Sequence, residues 1–395
     1  MAERVNPERL LDLARRLVCI PSINPPGEYG RVAAEVEQAM REAGLVTRVV
    51  EGEPGKPNVL GILPGSDPAR PVLLLSGHMD VVPAGDPGAW QEDPFSGRVV
   101  GGYLWGRGTA DMKGALAAQV EAARVLAAGR RMPGSLVVAA TVDDETAGPM
   151  GMKYLIESGW PSGLPLPFLH VLGEANDLNV TVAFKGRVWF RIATRGVAAH
   201  GGAPETGVNA VEKMIELFRH LRALPGREHP LMGRDTLNLG TIRGGEKVNI
   251  VPDCCEATFD YRVCSPCSAA EAEARFRQVV EKLSREDSEF VVSRFEVFEK
   301  RDPLEVDPDG RAVRLVREVV RDVTGREPRL LGTLSAGDAY YVLQKSIPAV
   351  WVGPGDSSLL HAANERIAVR DLEVAALVYV ELARRACSGG WKKDE

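Results

Sequence analysis

The sequence predicts an α/β protein, a doubly wound domain interrupted by a smaller ferredoxin-like α+β domain. Three observations predict it. Before about residue 180, the apolar runs PVLLLSG (71–77), SLVVAATV (135–142) and FLHVLG (168–173) alternate with helical patterns, as buried parallel strands and their crossover helices do. From residue 182 the pattern becomes that of half-exposed strands and helices in the order β-α-β-β-α-β, the ferredoxin-like arrangement. After Arg301 the α/β character returns.

The elements follow in chain order. Leu10, Leu11, Leu13, Ala14, Leu17 and Val18 recur at helical spacing between charged residues, which marks an amphipathic surface helix. The buried strand 71–77 comes next. Lys113 to Ala128 is Ala-rich and helical, and it leads into the buried strands 135–142 and 168–173. The second domain has a strand over 182–195, a helix near 208–224, strands near 235–243 and 248–263, a helix near 269–285 and a strand near 288–298. A helix near 309–323, a strand IPAVWV (347–352) and a terminal helix near 370–387 complete the first domain. The boundaries are therefore 1–183 and 300–395 for the two segments of the larger domain and 184–299 for the insertion. A chain of 395 residues exceeds the size at which one core stops growing, so two domains are expected.

Composition narrows the function. With 45% hydrophobic and 26% charged residues the chain has an ordinary globular balance. A net charge of -6 gives no broad attraction to nucleic acid or anionic membrane. No apolar run reaches the length of a membrane span, and the N-terminus lacks the uninterrupted apolar core of a signal peptide, so a cytoplasmic protein is expected. The six cysteines read as free thiols in that setting. Cys254 and Cys255 are adjacent on a strand and point to opposite faces, which argues against a zinc site with Cys264 and Cys267.

The chemistry lies at strand ends. His78 follows the strand 71–77, Asp143, Asp144 and Glu145 follow 135–142, Glu174 ends 168–173, and Asp111 precedes the helix at Lys113. His361 lies in a loop after the strand 347–352. In open α/β sheets that edge is where ligands bind. Mixed His and carboxylate ligands suit zinc, and a bridging carboxylate would give a two-metal arrangement. Three consecutive acids beside a sheet need cations to neutralise them. Taken singly, Asp111 reads equally as a helix N-cap and the others as surface charges; their coincidence at the strand ends of one domain favours the metal reading.

The segments SGHMDVVPAG (76–85), YLWGRGTADMKG (103–114), TVDDETAGPMGM (141–152), LGEAND (172–177), AAHGGAPETGVNA (198–210), VNIVPDCCEATFDYR (248–262) and GPGDSSLLHAANERI (353–367) resemble the dinuclear-zinc amidohydrolase and exopeptidase family of acetylornithine deacetylase, succinyl-diaminopimelate desuccinylase, aminoacylase and glutamate carboxypeptidase. The resemblance covers nearly the whole chain in the family's order. It implies a zinc-hydrolase catalytic domain with an inserted lid, through which a homodimer forms. It implies two Zn2+ ions, with Co2+ or Mn2+ as substitutes. His78 and Glu174 would bind the first ion, Glu145 and His361 the second, and Asp111 would bridge them. Asp80 would orient the His78 imidazole. His200 would reach a partner's site and stabilise an oxyanion. Asn249, Arg262 and Asp338 match substrate-binding positions.

One position departs from the family. The general base is usually Glu, and here Asp144, one methylene shorter, stands in D-D-E. The resemblance implies hydrolysis of an amide bond in a small N-acyl amino acid or a short peptide. Deacylation of an N-acyl amino acid is the leading expectation. A dipeptidase or carboxypeptidase and a catalytically silent metal-binding protein are the alternatives.

Overall fold

A strand that is apolar on both sides needs cover on both faces. The computed structural model, which describes residues 4–388, provides that cover. Two compact units emerge. The first comprises Met1–Val182, Val306–Leu331 and Gly337–Glu395; residues 1–3 and 389–395, the outer ends of the two expected catalytic segments, lie outside the described residues. Its sheet contains β1 (Val46–Glu51), β2 (Pro57–Leu63), β3 (Val72–His78), β4 (Ser135–Thr141), β5 (Leu169–Ala175), β6 (Val180–Phe184) and β7 (Ala349–Gly353). Their order is β1-β2-β4-β3-β5-β7-β6. β3 runs parallel to β4 and β5, and β7 parallel to β5; the outer pairs β1/β2, β2/β4 and β6/β7 are antiparallel. Every residue of β3, β4 and β5 is buried.

Helices cover the sheet. In α1 (Pro7–Val18) the residues Leu10, Leu13, Ala14, Leu17 and Val18 are buried, and the Asn6 side chain accepts the Arg9 N–H as an N-cap. The small side chains of α3 (Gly114–Ala127) bury almost all of that helix and let it pack against α5 (Val369–Cys387). α2 (Gly30–Glu42) and α4 (Arg311–Thr324) complete the set. Asp111 precedes α3, as expected, but does not cap it. Asp111 and Met112 have non-helical backbone angles, and the regular helix starts at Gly114. No helix among the described residues is long and apolar enough to cross a membrane.

The second unit comprises Ala183–Glu305 and Gly332–Ala336. Its antiparallel strands Gly186–Arg195, Thr236–Gly244, Cys254–Val263 and Val291–Arg301 place the first between the third and fourth. The helices Ala210–Arg222 and Ala269–Glu286 share a core with the sheet, where Phe190 stacks on Phe276 at 4.3 Å. Two expected strands are shorter than their patterns. The run 182–195 breaks at Lys185, so that Val180–Phe184 pairs in the first unit's sheet and Gly186–Arg195 in the second's. The run 248–263 becomes a strand only at Cys254. Pro252 has no N–H to give a ladder, and Val248 is fully exposed.

Candidate metal centre

β3 leads through α3 to β4 on one side of it, and the chain then crosses to β5 on the other. The carboxyl end of β3 is therefore a switch point, the place where open α/β sheets bind ligands. His78 is its last residue. Glu174 stands near the end of β5, Asp143–Glu145 follow β4, and His361 follows β7. Asp143 and His361 take left-handed backbone angles, with φ 65° and 61°, uncommon for residues with a Cβ.

The side chains converge. His78 Nε2 lies 3.0 Å from Asp111 Oδ1 and 3.3 Å from Glu174 Oε1. His361 Nε2 lies 3.2 Å from Asp111 Oδ2 and 3.1 Å from Glu145 Oε2. Two groups result, His78/Asp111/Glu174 and Asp111/Glu145/His361, and within each the candidate ligand atoms all lie within 4.8 Å of one another. Asp111 belongs to both through different oxygens. The first group is buried, whereas the His361 side chain is 58% exposed.

Burial and like charge set the electrostatics. Glu174 is pushed up to about 8 by burial and by the charge of Asp111. Burial would lower His78, but its contacts with Asp111 and Glu174 outweigh burial and raise it well above the ordinary imidazole range. His361 is raised to about 10 by Asp111 and Glu145. Three carboxylates thus crowd around two imidazoles with little water to screen them. Carboxylates in such a setting pair with one another, with imidazoles or with metal. The oxygen and nitrogen donors suit zinc and its neighbours in the first transition row, so the residues fit a two-ion centre.

The remaining expected residues fall in three places. Asp80 is fully buried, with its carboxylate at ion-pair distance from the His78 imidazole. His78 Nδ1 lies 2.9 Å from the main-chain oxygen of Asp80 and 3.7 Å from Oδ1. The two-residue spacing brings the carbonyl closer, and Oδ2 accepts N–H groups from Asn24 at 2.9 Å and Glu145 at 3.1 Å. Asp80 therefore fixes the turn that carries Glu145. Asp144 is half-buried beside Gly337, where an added Cβ would meet its Oδ1 at 3.2 Å. Asp338 is only 3% exposed and accepts the Thr141 hydroxyl at 2.6 Å. Burial and the charge of Asp144 raise its pKa. It lies beneath the site, not open to a substrate as expected.

His200, Asn249 and Arg262 lie in the second unit. His200 and Asn249 are exposed neighbours, joined through the Gly201 N–H to the Asn249 carbonyl at 2.9 Å. Arg262 closes a fork on Asp260 at 2.8 and 2.9 Å, so a substrate carboxylate would compete with Asp260 for it.

Sequence reasoning named Asp143 without its partners and missed Arg107 and Glu365. Asp143, 3% exposed, accepts the Tyr29 hydroxyl at 2.8 Å and Lys56 Nζ at 2.9 Å. Arg107 and Glu365 form an ion pair at 2.6 Å with 2% and 0% of their side chains exposed. The only signal for them was that Arg107 falls inside the G-R-G segment and Glu365 inside the segment of His361. The six cysteines are free thiols, and among the described residues no cysteine joins a group able to hold a metal.

Comparison with known proteins adds to this geometry. A family model described as peptidase family M20/M25/M40 matches residues 74–385. The chain is 29% identical over 382 residues to a succinyl-diaminopimelate desuccinylase of Methylorubrum extorquens, covering 93% of this chain and 96% of the relative. It is 28% identical over 407 residues to an N-formyl-4-amino-5-aminomethyl-2-methylpyrimidine deformylase of Halalkalibacterium halodurans, covering 94% and 92%. Among solved structures, an aminopeptidase from Bacillus cereus superposes with a TM-score of 0.79 at 23% identity, covering 97% and 99% of the two chains. A dinuclear metal-binding peptidase of Bacillus subtilis superposes with a TM-score of 0.73 at 17% identity, covering 96% and 98%. At these identities the solved structures speak to the fold.

Proposed function

The chain belongs to peptidase family M20/M25/M40 and is a metal-dependent amide hydrolase of small molecules or peptides, and from that premise we propose that it deacylates an N-acyl amino acid with two zinc ions. The observation that carries this reading is the Asp111 carboxylate, whose two oxygens face two separate groups of candidate ligands. The desuccinylase and deformylase names of two relatives support an acyl group as the part removed from the amine.

His78 and Glu174 would hold one ion, Glu145 and His361 the other, and Asp111 both; cobalt or manganese would substitute. When bound, two such ions supply Lewis acidity toward the scissile carbonyl and the attacking water. Asp144 would take a proton from that water at its carboxylate and deliver it to the leaving amine nitrogen. Asp143 would hold the turn of Asp144 in place through Tyr29 and Lys56. The second unit would act as a lid and as the interface of a homodimer, with His200 of one copy donating to the carbonyl oxygen in the other. Asn249 and Arg262 would bind the substrate. A cytoplasmic location fits such a small-molecule enzyme.

The test is hydrolysis of N-acetyl, N-succinyl and dipeptide substrates by zinc- and cobalt-loaded protein, with Asp144→Ala as control. Turnover of an N-acyl amino acid that disappears in the control supports the proposal. Turnover of dipeptides alone makes the chain a peptidase. Two bound ions without turnover across the panel would indicate a catalytically silent metal-binding protein.

A further inference from the structure

Arg107 and Glu365 contact no candidate ligand side chain, yet they touch the segments that carry several of them. Arg107 Nη1 donates to Glu365 Oε2 at 2.6 Å. The other oxygen, Glu365 Oε1, accepts the backbone N–H of Ala110 at 2.8 Å and of Asp111 at 3.1 Å. Buried N–H groups need acceptors, and the local chain does not supply regular helical ones: Asp111 and Met112 have φ/ψ of -125/88° and -137/30°. Glu365 takes that role at the residue shared by the two ligand groups. The second fork of the guanidinium, Arg107 Nη2, donates to the carbonyl of His361 at 3.3 Å and faces that of Pro83 at 3.5 Å. The cation also lies over the Trp90 ring, 5.2 Å from its centroid.

The two ligand groups differ in support. His78 and Glu174 sit on adjacent buried strands of one sheet. His361 sits on a loop, at φ 61° and with a 58% exposed side chain. A carboxylate shared between two ions must keep one oxygen toward each, which requires the backbone of Asp111 and the loop of His361 to hold a fixed relation. Glu365 grips the first through its N–H, Arg107 grips the second through its carbonyl, and their ion pair joins the two grips.

We propose that the Arg107–Glu365 ion pair is a positioning device that assembles the second ligand group, Asp111/Glu145/His361, around the shared carboxylate. The proposal rests on the two-ion reading above. Its consequence is graded: weakening the pair costs the second ion more affinity than the first, which His78 and Glu174 also hold from buried strands.

The experiment is calorimetric titration of the metal-free full chain with Co2+, followed in parallel by the visible absorption of the bound ion. Wild-type protein is expected to bind two ions. Glu365→Gln removes the charge and retains the shape, and Arg107→Lys keeps the charge but loses the planar fork. Partners behind metal ligands are worth about 10–100-fold in affinity, and a loss of that size is expected for the second ion, larger than any loss at the first, with a changed absorption band. Arg107→Lys carries the test where Glu365→Gln does not fold. Glu121→Gln is the control, since it breaks another ion pair of the same unit, Arg9–Glu121 at 2.7 Å. The proposal is overturned by unchanged second-ion affinity in both variants, or by an equal loss in the control, which would reflect general loosening. Wild-type protein that binds fewer than two ions overturns the two-ion reading and this proposal with it.

Discussion

Asp111 meets His361 through the oxygen that His78 leaves free, with Oδ2 3.2 Å from Nε2. The shared residue is thus the common member of both ligand groups. Asp111→Ala should abolish binding of both ions, with elemental analysis falling from two per chain toward none. Full occupancy in this variant would rule out a bridging carboxylate.

Asp144 stands where the family's base is usually one methylene longer, and it packs beside Gly337, whose φ is +48°. A positioned general base contributes about 10²–10⁴-fold in rate, so Asp144→Ala should lower kcat by that order while both ions remain bound. Gly337→Ala should also slow turnover, because a Cβ there would lie 3.2 Å from Asp144 Oδ1 and the backbone angle disfavours a side chain. Steady-state kinetics with parallel metal analysis checks both. Loss of the ions in Asp144→Ala would make Asp144 a ligand instead of a base.

The sequence made the strand-end chemistry legible because buried parallel strands are written as unbroken apolar runs. Ser135–Thr141 and Leu169–Ala175 follow the runs 135–142 and 168–173 closely, and His78 closes β3 as its position after 71–77 implies. What alternation could not show was which sheet a strand joins: the break at Lys185 divides one continuous pattern between two units. Side-chain direction was also illegible. Asp80 gives Oδ2 to the Glu145 N–H while its Oδ1 stays 3.7 Å from the imidazole, and Asp338 turns toward Thr141. Arg107 and Glu365 are 258 residues apart in the chain, and no local pattern couples such a pair.

His170 offers a pH prediction away from the ligands. It lies on β5, wholly buried, with Nε2 2.6 Å from the Ser76 hydroxyl, and burial lowers its pKa to about 3. Between the ordinary imidazole pKa of ~6.5 and about 3, the unfolded chain takes up a proton that the folded chain refuses. Stability should therefore be complete above that window and fall as pH drops through it, by up to about 1.4 kcal/mol per pH unit for this group. Urea unfolding of wild type and His170→Gln at pH 7.5 and pH 5 (roughly the two sides of the ~6.5 midpoint) should show a smaller acid-induced loss in the variant. Equal losses would place the acid sensitivity elsewhere.

His200 supplies the last prediction, because its proposed role places it in the other copy of a homodimer. His200 is exposed, and its Nδ1 accepts the Gly202 N–H at 3.0 Å, which leaves Nε2 as the nitrogen able to donate outward. Loss of one preformed oxyanion donor costs about 10²–10³ in kcat, so His200→Ala should be slow while its metal content stays at two. Mixing it with Asp144→Ala under subunit exchange separates the arrangements. If His200 acts across copies, each mixed dimer holds one site with both Asp144 and His200 intact, and random exchange of a symmetric dimer should restore about a quarter of wild-type activity. If His200 acts within its own chain, every site lacks one of the two groups and the mixture stays as slow as its components. Restoration would establish both the dimer and the shared site, whereas its absence despite demonstrated exchange would confine His200 to its own chain.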